Sequence, residues 1–120
     1  MSEYIHKPHN VSVLLYHYVC PTKYRRVVFD TQRVVEVLID ACREISVQYP
    51  INFIEIGEDN DHVHFLIQSV PKIPPSQIAN IVKSVTARII FKRCPEVKTK
   101  LWGGNFWSGR LFRKYCWEKW

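Results

Sequence analysis

The run Asp61-His62-Val63-His64-Phe65-Leu66-Ile67 constrains this chain more than any other stretch. It alternates in polarity, and on a strand residues two apart share a face. Val63, Phe65 and Ile67 therefore point into a core, and both imidazoles point the other way. A chain built around such a strand needs a sheet with one covered face and one open face. Two neutral imidazoles side by side can grip one divalent cation. Two partly exposed strand histidines hydrogen-bonded to neighbours would show the same spacing, which alone does not choose between them. Asp61 falls on the opposite side of a regular strand. Gln68 shares the histidine side but lies too far along to ligate together with His62. A catalytic ion would thus need a further carboxylate or carboxamide from elsewhere.

The flanking sequence supplies the rest of a layered domain. Residues 11–19 are rich in β-branched and aromatic types and read as a strand ended by Pro21. A basic loop follows, Lys23-Tyr24-Arg25-Arg26. Asp30 or Thr31 can cap a helix to about Gln48, with Val34, Val35, Leu38, Ala41, Cys42 and Ile45 at helical spacing. Residues 52–56 and 61–69 read as an antiparallel hairpin across the acidic turn Gly57–Asn60. After the stiff Pro71–Pro75 link, a second helix runs to about Arg93. It buries Ile78, Ile81, Val82, Val85, Ile89 and Ile90 and offers Lys83, Arg88 and Lys92 on its other face. Leu101–Trp107 reads as a short returning strand. The order β-α-β-β-α-β predicts an α+β fold: a ferredoxin-like antiparallel sheet with both helices packed on one face.

Composition narrows the partner. The 120 residues suit one domain, and a hydrophobic content of 47% argues against disorder. The net charge of +6 suggests an anionic partner such as nucleic acid. Cys20, Cys42, Cys94 and Cys116 are scattered with no C-x-x-C pair, so reduced thiols are expected rather than structural zinc or disulfides. No apolar run is long enough to span a membrane, and the polar Met1–Asn10 segment is no signal peptide. A cytoplasmic protein with no membrane partner is the expectation.

Several short motifs occur in a fixed order: Tyr16-His17, Lys23-Tyr24-Arg25-Arg26, Asp61–Ile67, Pro74-Pro75-Ser76-Gln77-Ile78, Lys83–Arg88 and Leu101–Ser108. Together, over about residues 9–108, they resemble the single-tyrosine HUH transposases of the smallest bacterial and archaeal insertion sequences. The resemblance implies an enzyme that binds single-stranded hairpin DNA at the element's ends. It implies that His62 and His64 hold Mg²⁺ or Mn²⁺ on the scissile phosphate, where the ion stabilises developing charge. It implies a tyrosine that attacks to form a 5′-phosphotyrosine link. In the family this tyrosine sits on a C-terminal helix with a further metal ligand, typically glutamine. The family works as homodimers in which that helix serves the partner's histidines. Lys23, Arg25 and Arg26 then become candidate phosphate contacts, as do Lys83 and Arg88, although any solvated basic surface would look alike.

The chain departs from the family after Ser108, which divides it into a transposase domain at 1–108 and an atypical tail at 109–120. The family continues Asp-Gly-Tyr-Phe-Val-Asn-Thr-Val-Gly. This chain reads Gly109-Arg110-Leu111-Phe112-Arg113-Lys114-Tyr115-Cys116-Trp117-Glu118-Lys119-Trp120. Shifting one permitted set of codons for these residues by a single base yields the family's continuation. The expectation is therefore an out-of-frame tail that replaces the tyrosine helix and carries no helical or strand period. Tyr115 is the nearby tyrosine that remains as a candidate nucleophile. Three functions follow as alternatives: a working transposase, a DNA-binding and dimerising regulator that cannot cut, or a ferredoxin-like RNA-binding domain.

Overall fold

The computed structural model describes residues 13–101 and 104–109, and the backbone of 112–117. The first strand is Leu14–Pro21 (β1); residues 11 and 12 of the expected strand lie outside the described residues. Tyr16, Tyr18 and Cys20 are buried and alternate with half-buried Leu15, His17 and Val19. Thr31 caps the first helix, Gln32–Gln48 (α1), by accepting the Val34 N–H at 3.4 Å. Its buried stripe is Val34, Val37, Leu38, Ala41, Cys42 and Ile45, with Val37 taking the place expected for Val35. Pro50 prevents continuation, and the chain returns in Asn52–Asp59 (β2) and His62–Ser69 (β3). β2 runs beyond the expected residue 56 because its backbone keeps pairing with β3 as far as Asp59 opposite His62.

Pro74 precedes the second helix, Pro75–Arg93 (α2), and Pro75 occupies its first position, where a missing N–H costs nothing. Ile78, Ala79, Val82, Thr86 and Ile90 form its buried edge. A short helix, Glu96–Lys100 (α3), follows. The chain then supplies a final strand, Phe112–Trp117 (β4).

The sheet order is β2-β3-β1-β4, with every neighbouring pair antiparallel. One core joins Tyr16, Tyr18, Val63, Phe65 and Ile67 of the sheet to Val34, Leu38 and Ile45 of α1 and Ile78, Val82 and Ile90 of α2. The expected α+β arrangement, helices on one sheet face, is the observed one. Tyr18 also reaches across the layers, its hydroxyl donating to the Pro75 carbonyl at 2.9 Å.

Two expectations fail on the last strand. Leu101–Trp107 is not a strand: Trp107 makes a single isolated bridge to Thr22; Trp102 and Gly103 lie outside the described residues. Phe106 and Trp107 turn inward instead, 1% and 5% exposed, and Trp107 Nε1–H donates to Thr86 Oγ1 at 3.0 Å. Burial of two large rings outweighs a strand's pairing here, since truncating one such ring costs about 3–5 kcal/mol. The fourth strand forms further on, within the tail expected to have no period. An edge strand gains its stability from the ladder to β1, so it does not require amphipathic alternation.

Candidate functional site

The alternation of β3 does what its sequence dictates. Val63, Phe65 and Ile67 are fully buried, while His62 is half-buried and His64 exposed on the other face. Their ring centres lie 5.0 Å apart at 69°. Two rings that bind one ion through nitrogens at about 2.1 Å, at angles of about 90–110°, have centres about 4.6–5.3 Å apart. The pair therefore fits two positions of one coordination sphere.

Each Nδ1 is engaged by another side chain. His62 Nδ1 lies 2.9 Å from Asp61 Oδ1. The carboxylate can only accept, so Nδ1 carries the proton and Nε2 of the neutral ring carries the lone pair. His64 Nδ1 lies 3.2 Å from His17 Nε2, with the two rings stacked at 5.3 Å and 26°. One nitrogen of that contact must donate and the other accept. When His64 donates, both site histidines present Nε2 as the metal-binding atom. Asp59, the register partner of His62, holds a carboxylate oxygen 3.9 Å from His62 Nε2. Among the described residues, no set of three or more His, Cys, Asp or Glu side chains is gathered closely enough to hold an ion. The histidine pair alone therefore offers two donor nitrogens, fewer than an ion's full coordination sphere needs.

Asp61 departs from the expectation that it would face away. It lies in the turn just before β3, so strand parity does not govern it. Its backbone carbonyl accepts the Thr22 N–H at 2.9 Å, which ties the turn to the end of β1. Arg25 Nε donates to Asp61 Oδ2 at 3.2 Å. The hydrogen bond from His62, with Arg25 beside it, holds the Asp61 carboxyl below the usual carboxylate range.

The basic residues divide between the two sides of the sheet. Arg25 joins the histidine side through Asp61. The Lys23 ammonium lies 5.3 Å from the centre of the Tyr24 ring, and Arg26 is half-buried, its carbonyl accepting the Thr22 hydroxyl. Lys83 and Arg88 belong to α2, in the layer behind the sheet. Lys83 donates to the Ser108 carbonyl at 2.9 Å, and Arg88 is exposed. Tyr115 is the register partner of Tyr16, one position out of step with His17, whose partner is Lys114; its side chain lies outside the described residues. His17 and Asp61 are the residues that sequence reasoning missed as parts of the site.

A family whose sequence model is described as "Transposase IS200 like" matches residues 10–118. The chain belongs to the IS200-like transposase family. The family match spans both the histidine strand and β4. The ISDra2 transposase TnpA of Deinococcus radiodurans is 35% identical over 95 residues, 79% of this chain and 67% of that protein. The crystal structure of a transposase candidate from Deinococcus radiodurans aligns with TM-score 0.80 and 29% identity, covering 92% of this chain and 85% of the other. A REP-associated tyrosine transposase, solved bound to a REP hairpin, shares the fold at TM-score 0.61 and 14% identity, over 97% of this chain and 62% of the other. Membership decides against the RNA-binding alternative. Among the described residues, no helix is long and apolar enough to cross a membrane.

Proposed function

We propose that this IS200-like transposase binds single-stranded hairpin DNA and holds Mg²⁺ or Mn²⁺ on the scissile phosphate through His62 and His64. The observation that carries the reading is the histidine pair on the open sheet face, its ring centres 5.0 Å apart and each Nδ1 engaged by a neighbour; in the tautomer where both Nδ1 atoms donate, Nε2 is the ligating atom. When bound, the ion supplies Lewis-acid stabilisation of the charge that develops on the phosphoryl oxygens. Asp61 and His17 orient the two rings, and Arg25 holds Asp61 in place. The reading takes the active form to be a homodimer whose partner completes the metal sphere. The hairpin bound by the REP-associated relative supports hairpin DNA as the partner.

Cleavage needs a tyrosine at the histidine face. Tyr16 and Tyr18 are committed to the core, and the Tyr115 side chain lies outside the described residues. The departure of residues 109–120 from the family's continuation favours a second reading, in which this chain binds hairpin DNA without cutting and forms inactive mixed dimers with an intact relative. Incubation with a hairpin oligonucleotide and Mn²⁺, followed by a denaturing gel, separates the two. A covalent adduct lost in Tyr115→Phe establishes Tyr115 as nucleophile and removes the second reading. Binding without an adduct supports it. Absence of any hairpin binding contradicts both.

The out-of-frame origin of residues 109–120 is proposed on the codon argument alone. It predicts that the gene, read one base later from codon 109, encodes Asp-Gly-Tyr-Phe-Val-Asn-Thr-Val-Gly and continues into a helix with Tyr and Gln. A nucleotide sequence without that continuation contradicts it.

A further inference from the structure

Tyr24 and Arg25 both have positive φ, 57° and 53°, and neither is glycine. Left-handed backbone is unfavourable for L residues, most of all for bulky ones, and two in succession persist only where the surroundings hold them. The surroundings do so here. Thr22 N–H donates to the Asp61 carbonyl at 2.9 Å, Lys23 N–H to the Phe106 carbonyl at 2.9 Å, and Arg25 N–H to the Thr22 carbonyl at 3.0 Å. The buried Thr22 hydroxyl bonds the Arg26 carbonyl at 2.6 Å. The product of this clamp is an aromatic ring in water. Tyr24 is 65% exposed, and no other Phe, Tyr or Trp side chain among the described residues stands exposed.

Burial of an aromatic ring is ordinarily favourable, yet this turn holds the Tyr24 ring 65% exposed. The position and charge of the turn point to a ligand. The turn begins one residue after Pro21, the register partner of His62. Arg25, Asp61 and His62 form a continuous chain of contacts at 3.2 and 2.9 Å from the turn to the histidine pair. The Lys23 ammonium sits 5.3 Å from the Tyr24 ring centre, placing a cation beside an aromatic face. An aromatic ring with an adjacent cation matches one nucleotide of single-stranded nucleic acid: the ring takes the base, the cation its phosphate.

We propose that Tyr24 is a base-stacking residue for an unpaired nucleotide that flanks the phosphate held at His62 and His64. The inference rests on the DNA-binding reading above and adds a subsite to it. Its test uses the full chain and hairpin oligonucleotides carrying 2-aminopurine at successive positions of a single-stranded flank. Tyr24→Phe keeps the ring. Tyr24→Asn removes it while tolerating the left-handed backbone, and Tyr24→Gly, for which positive φ carries no penalty, gives a second compatible background. Wild type and Tyr24→Phe are expected to agree within about twofold and to quench one flank position, whereas Asn and Gly weaken binding about 5- to 100-fold and lose that quenching. Mn²⁺ affinity without DNA stays the same in all four proteins. If wild type binds the hairpin but Asn and Gly bind equally well with unchanged quenching, the stacking role is wrong and the DNA reading stands. Equal weakening in Phe, Asn and Gly also overturns stacking. If wild type binds no hairpin, the reading itself falls and this inference with it.

Discussion

At His64 the second ring nitrogen is engaged by His17 at 3.2 Å, a contact formed across two strands. An outer partner of this kind fixes the tautomer of a ligand, and its loss typically costs 10–100-fold in metal affinity. His17→Ala should therefore raise the Mn²⁺ dissociation constant about 10–100-fold by calorimetry. His17→Gln should recover much of the loss, because its amide oxygen can accept the His64 Nδ1–H. Equal affinity in all three proteins would remove His17 from the site. His62 and His64 were legible in the sequence because strand parity sorts residues by face. His17 was not, since it lies 47 residues from His64 and only the β1–β3 register brings them together. Asp61 was misread because parity stops at the strand end, and a turn residue can point wherever its backbone bonds direct it.

The elements with strong periodicity emerged where the sequence put them. α1 follows its apolar spacing and capping Thr31, and α2 keeps its expected extent, but of the α2 stripe only Ile78, Val82 and Ile90 are buried, with Ala79 and Thr86 buried where Ile81, Val85 and Ile89 are half-buried. The last strand did not. Leu101–Trp107 is rich in strand-like residues, but its rings fill the space between sheet and α2, and long-range packing overrides local preference. Thr86 makes that possible, since it faces the core and receives the Trp107 indole N–H. Trp107→Phe should cost about 1–3 kcal/mol in urea unfolding, from the lost hydrogen bond and imperfect refilling of the site. A cost within experimental error would show that the indole bond contributes nothing to docking this segment. β4 escaped notice because an edge strand's ladder is a backbone property, written only weakly in side-chain order.

The molecule as a whole is cationic, at +6, and the proposed DNA reading makes a salt prediction. With two or three phosphate contacts, raising salt from about 50 to about 200 mM should weaken hairpin binding about tenfold. Insensitivity to salt would exclude the basic turn from phosphate contact. Cys20, Cys42 and Cys94 are free and buried. Burial pushes the Cys20 thiol from 9.0 up to about 12, with Cys42 moved in the same direction. The folded chain thus retains protons that the unfolded chain releases, and stability must fall as pH rises from about 9 towards 12. That decline should be shallower in Cys20→Ala than in wild type, measured as unfolding free energy against pH. Parallel slopes would mean the thiol is not shielded from water.

His62 and His64 are the metal ligands proposed for this chain. The direct measurement is Mn²⁺ titration of the full chain and of His64→Ala, followed by electron paramagnetic resonance, with melting curves on both. His64 is exposed, so the substitution should leave the melting temperature unchanged. Wild type is expected to show one saturable site, weakened about 100-fold or more when a direct ligand is lost. Equal Mn²⁺ binding by the two folded proteins, or none by wild type, would contradict it.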